Sequence, residues 1–208
     1  MTTVQHSNEL VSLASIAAEL HAVMTVAQGV SLAAKNAKVI SAQAGEKGLG
    51  FQPITNFIDE ISQTAIQGVD EINRKALQLS RLAVTEQRSY DAYRRFSSVK
   101  TRYQDARHIE SMYESLQGVQ TTMLETSSRF KKDLNHLMRL LESMNETMLS
   151  ARSIASVSRI VTSDAQEYRA KLQVVADDLD KAAIFIKEKV TDSYKHLNRV
   201  EELAHKHV

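Results

Sequence analysis

The chain contains no cysteine. That absence removes disulfides, thiolate metal sites and thiol nucleophiles together, and it fits a reducing interior. Tryptophan is also absent, proline occurs once, at Pro53, and only six of the 208 residues are glycine. Strand-rich folds need glycine, proline and small polar residues to turn the chain, so little remains to punctuate a sheet. Charge of one sign is missing too: 26 Lys and Arg face 25 Asp and Glu, a net charge of +1. No global field draws in nucleic acid or an anionic membrane. The N-terminus, Met-Thr-Thr-Val-Gln-His-Ser-Asn-Glu, lacks the basic start and apolar run of a signal peptide. No uninterrupted apolar run reaches the roughly 18 to 20 residues that cross a bilayer. The expectation is a cytoplasmic chain with neither nucleic acid nor membrane insertion among its interactions.

What is present points to helix. Hydrophobic residues make up 43% of the chain, enough for a sizeable core, and Ala, Leu, Glu, Lys, Gln and Arg are abundant. Apolar residues recur at spacings of three and four in four stretches. The first follows a candidate N-cap at Ser7 or Asn8 and includes Leu13, Leu20, Met24 and Ala27, giving a helix over about 8–44. The second includes Ile58, Ile61, Ala65, Val69, Ile72, Ala76, Leu79 and Ala83. The third runs through Phe130, Leu134, Leu137, Leu141, Met144, Met148 and Ala155, and the fourth through Leu172, Leu179, Ile186, Val190 and Leu197. The predicted class is all-α: long antiparallel helical hairpins forming a four-helix coiled-coil bundle.

Three of the six glycines, Gly45, Gly48 and Gly50, lie within six residues of one another, and Pro53 follows them. Glycine reverses a chain without a Cβ penalty, and proline is tolerated in the first helical turn, where N–H groups are unpaired. These residues mark the tip of a hairpin, one helix stopping near Ala44 and the next starting near Pro53.

The order Asn36-Ala37, Ala42-Gln43-Ala44-Gly45-Glu46, then Gly48-Leu49-Gly50-Phe51 resembles the cytoplasmic signalling tip of bacterial chemoreceptors, the methyl-accepting chemotaxis proteins. The likeness spans about residues 29 to 65. Lys35, Ile40, Gln43, Leu49 and Phe57 depart from the family pattern at its contact positions. The resemblance implies a chemotaxis-type signal-transduction or adaptor protein that docks a histidine kinase and its coupling protein. It implies a protein-binding tip of Asn36, Val39, Glu46, Phe51 and Ile54 around the turn glycines Gly45, Gly48 and Gly50. The alternative is a non-chemotactic helical scaffold or regulator with an unrelated protein partner.

The chain also resembles itself. Residues 39–46 align with residues 160–167, and 51–54 with 172–175, without a gap at an offset of 121. The expectation is an internal duplication of one hairpin, the alternative being similar periodicity without duplication. Duplication divides the single bundle of residues 1–208 into a first hairpin over 8–87 with its tip at 45–50, a connecting stalk over 88–121, and a diverged second hairpin over 122–208 with its tip at about 165–170. Both tips then lie at one end, and the distal turn falls near Arg107 and His108, with Ser97-Ser98 or Gly118 as alternatives. Receptor signalling domains pair two identical hairpins; one chain here supplies both, which predicts a pseudo-dimeric monomer.

Between 88 and 118, Tyr90, Tyr93, Phe96, Tyr103 and Tyr113 cluster with Arg88, Arg94, Arg95, Lys100, Arg102 and Arg107. Such a band suits an acidic partner or nucleic acid, but aromatics at helical spacing more often belong to a core. Nothing in the sequence reads as catalytic. The glycines follow no strand and lack a Gly-Lys-Ser/Thr ending, so they form no phosphate loop. The histidines form no i, i+4 pair around a carboxylate, and His205-x-His207 ends the chain. Asp177-Asp178 and Glu201-Glu202 are expected on exposed helix faces. No enzyme activity, cofactor or metal is expected.

Overall fold

The computed structural model describes residues 3–102, 111–162 and 168–205. Four helices, α1 (Thr3–Gln43), α2 (Gln52–Arg102), α3 (Ser111–Val161) and α4 (Arg169–His205), fill almost all of that span. A 3₁₀ turn, Gly45–Phe51, joins α1 to α2, and no strand occurs among the described residues. Each helix packs on two neighbours: α1 on α2 and α4, and α3 on the same two. Side-chain bonds cross all four of these contacts. Ser31 donates to Asp59 across α1 and α2 at 2.8 Å, Lys75 to Asp133 across α2 and α3 at 3.3 Å, and Lys189 to Glu19 across α4 and α1 at 2.6 Å. Arg159 on α3 meets Asp177 on α4 at 2.9 Å. The molecule is a four-helix bundle.

The core follows from the spacing. On α1 the buried seam runs Leu13, Ile16, Leu20, Val23, Ala27, Val30, Ala34, Ala37 and Ser41, in alternating steps of three and four. That rhythm keeps one narrow stripe facing the neighbours along the whole helix. Adding 121 to each number gives a buried residue of α3, from Leu134 to Ser158, and then Thr162 just past its end. The same shift carries Phe51 at the end of the turn and the α2 seam from Ile54 through Leu79 onto buried residues of α4 from Leu172 through Val200. Even the irregular step recurs: α2 passes from Ile58 to Ser62 by four after a step of four, and α4 from Leu179 to Ala183 likewise.

The outward faces do not repeat. Between Leu20 and Ala34, α1 carries no Asp, Glu, Lys or Arg. By length and composition its stretch Val11–Gln43 suffices to cross a membrane, although 33% of its most apolar window is buried inside the bundle. The absence of a continuous apolar run therefore understated how apolar this helix is, because scattered Ser, Thr and Gln interrupt the run without adding charge.

Three further expectations are corrected. α1 is helical from Thr3, ahead of the cap expected at Ser7 or Asn8. Ser97-Ser98 and Gly118 are not turns, since they sit inside α2 and α3. The expected distal turn at Arg107-His108 and most of the second tip, 163–167, lie outside the described residues. The described stalk aromatics, Tyr90, Tyr93, Phe96 and Tyr113, are not core: none of them is buried, and Tyr113 is 47% exposed. At 1.5 Å per residue, the 51 residues of α2 and of α3 outrun the 41 of α1 by about 15 Å and the 37 of α4 by about 20 Å. The far ends of α2 and α3 thus have one helical neighbour where the bundle supplies two.

Candidate functional site

The tip is built by three glycines with different tasks. Gly45 takes φ +58°, the left-handed conformation that ends α1 without Cβ strain. Gly48 does not have a positive φ; its hydrogen side faces the Ser41 carbonyl so closely that a Cβ there would collide with backbone oxygen. The same approach lets the buried Ser41 hydroxyl donate to the Gly48 carbonyl at 2.6 Å. Gly50 lies against α3, where an added Cβ would sit 3.3 Å from Val161 Cγ1. That contact places the first tip beside the end of α3, at the same end of the bundle as the start of α4. The backbone N–H of Gln52 then donates to the Leu49 carbonyl, closing the turn as α2 begins.

The sequence-predicted binding residues separate into two sets. Asn36, Val39 and Glu46 are exposed, Val39 by 57%. Phe51 and Ile54 are not surface groups: Phe51 is 2% exposed and both join the core. Phe51 closes the glycine turn and enters the core at the register position that Leu172, also buried, holds 121 residues on. Instead the tip exposes Leu49, at 57%, and Phe57, at 50%. Both stand out of register with the buried seam, which is the signal that marks them as surface residues.

The flanks of the second tip are braced differently. Arg159 forks between Asp177 and Asp180, at 2.9 Å each, and Arg152 also reaches Asp180 at 3.3 Å. The Arg159 hydrogen bonds hold both carboxyls below their ordinary range and raise the guanidinium itself. Asp177 is therefore an engaged, half-buried group, while Asp178 is exposed. The buried Thr162 hydroxyl donates to Gln173 at 3.1 Å. Around this network Val157, Ile160 and Val174 remain exposed.

No group of three His, Asp or Glu side chains among the described residues is placed to hold a metal. The side chains of His205 and His207 lie outside the described set. Compared with known proteins, the chain matches no protein-family model, no curated protein and no solved structure.

Proposed function

We propose that this chain is a non-catalytic cytoplasmic adaptor of chemotaxis type, whose tip end docks a chemotaxis histidine kinase and its coupling protein. The observation that carries the reading is the behaviour of the outermost rows of α1 and α3. On α1 this row is Val11, Ala18, Thr25, Leu32 and Val39; on α3, 121 residues on, it is Lys132, Arg139, Glu146, Ser153 and Ile160. The rows differ until the tip and agree there, with Val39 exposed by 57% and Ile160 by 71%. Both flanks of the end that resembles a receptor tip thus present an aliphatic side chain to solvent, and such groups anchor partners when ringed by polar residues.

The two hairpins are read as products of one duplication, packed as an intramolecular coiled coil. The repeated burial register and its shared irregular step favour this over chance similarity of periodicity. Joining the hairpins makes their pairing intramolecular, at an effective concentration a separate partner seldom matches, so the unit is a pseudo-dimeric monomer. Lys35 and Ile40, in place of the family's leucine and glutamate, oppose receptor-type assembly between such units.

Capture of purified kinase and coupling protein on the immobilised chain tests the docking. Capture is expected, and is expected to fall in Val39→Lys combined with Ile160→Lys while helicity is retained. Absence of capture, with retained binding to some other protein, favours the reading of a scaffold for an unrelated partner.

A further inference from the structure

The stalk carries a second surface, separate from the tip. On α2, a groove of about 580 Å³ open to solvent is lined by Arg88, Asp91, Ala92, Arg95, Phe96 and Val99. Its lining combines three apolar side chains, Ala92, Phe96 and Val99, with two arginines and one aspartate. Among the described residues Arg88 and Arg95 have no carboxylate partner, and Asp91 accepts from Gln87 at 2.9 Å instead. In the bundle, by contrast, the half-buried Lys75, Lys189 and Arg159 each hold a carboxylate. From residue 88 to 102, α2 carries five cations against Asp91 alone, and Lys100 lies over the Tyr113 ring at 4.6 Å.

We infer that this groove docks an acidic amphipathic helix of another protein. The lining residues lie along one side of α2 over three turns, about 16 Å, which is the footprint of a helix laid alongside. Leucine-sized side chains of the partner would cover Ala92, Phe96 and Val99, and flanking carboxylates would meet Arg88 and Arg95. A second copy of this chain fits poorly, because each copy brings two arginines and a single carboxylate, Asp91, to the contact. Nucleic acid fits poorly as well. Its continuous phosphate charge needs a wider attraction, which the chain's net charge of +1 does not supply, whereas a helix brings apolar side chains to cover Ala92, Phe96 and Val99.

The test uses the full chain and three fluorescent probes: a synthetic Glu/Leu amphipathic helix, its Lys/Leu counterpart and a single-stranded oligonucleotide. Saturable binding of the Glu/Leu helix is expected, weakening as salt rises. The double variant Arg88→Glu/Arg95→Glu should weaken it at least about tenfold, and Phe96→Ala by a similar factor. Lys131→Glu/Lys132→Glu, on the bundle surface of α3, should leave it unchanged. Should the double variant melt early, Arg95→Gln alone reads the charge contribution. No saturation below about 1 mM, or equal binding of the Lys/Leu helix, overturns the inference. Preferential oligonucleotide binding lost in the arginine variant would assign the groove to nucleic acid. A concentration-dependent doubling of mass lost in that variant would assign it to a second copy.

Discussion

Leu20 on α1 and Leu141 on α3 are both fully buried, yet two residues before each the outward position holds Ala18 in one helix and Arg139 in the other. The same contrast recurs at Thr25 and Glu146. Burial constrains a helix through shape, so seams 121 residues apart coincide, whereas the outer face answers only to what lies outside. From residue 21 to 33 the back of α1 is free of Asp, Glu, Lys and Arg while the back of α3 is charged, although the two helices share one register in the core.

The largest test of that comparison is a pair of core truncations. Leu20→Ala and Leu141→Ala should each cost about 2–5 kcal/mol, by lost burial and the cavity left behind, and the two losses should be alike. Urea unfolding measures both. A full loss for one and near silence for the other would end the equivalence of the two hairpins.

The tips break the symmetry, and the next effect should be confined to one of them. Gly48→Ala forces a Cβ onto the Ser41 carbonyl, a backbone group with nowhere to go, and should cost about 1–3 kcal/mol. Its counterpart 121 residues on, Arg169, is exposed, so Arg169→Ala should be nearly silent in the same melt. Equal melting of Gly48→Ala and the parent chain would refute the close approach.

Acid should act chiefly on the second tip. Asp177 and Asp180 have carboxyl pKa values lowered by Arg159, so the folded state binds protons less readily than the unfolded chain. Their contribution is present above the ordinary carboxylate pKa near 4 and is lost as pH falls through the lowered folded values. The positions of the first hairpin matching Arg159, Asp177 and Asp180 are Lys38, Asn56 and Asp59, and Asp59 accepts from Ser31 instead. Asp180→Asn should therefore melt earlier than the parent at neutral pH, with the gap narrowing as the buffer is taken toward pH 3. A gap independent of pH would mean that the Arg159 fork adds no stability.

The smallest effect belongs to the outer faces. Thr25→Glu copies onto α1 the residue that α3 carries at its equivalent site, and it should shift stability by no more than about 0.5 kcal/mol in either direction. A larger loss on thermal melting would mean that the back of α1 is covered.

Much of this architecture was legible in the residues. The seams through Leu13, Ile58, Leu137 and Ile186 follow a period that only a helix satisfies, and Gly45 announced the reversal. The tip was less legible because a turn decides direction. Phe51 follows Gly50 and looks exposed in linear order, but the 3₁₀ turn rotates it into the core and leaves Leu49 and Phe57 outside. Gly48 needs room beside Ser41 and not a positive φ, a requirement that sequence spacing does not encode. The stalk aromatics had helical spacing, yet burial also needs neighbours, and α1 and α4 are too short to supply them.

The central claim is that one chain supplies both hairpins of the bundle. Light scattering coupled to size exclusion measures it directly, across a wide dilution series and without any partner protein. The account predicts the mass of a single 208-residue chain at every concentration in the dilute range. A mass of two or more chains that persists on dilution would contradict it.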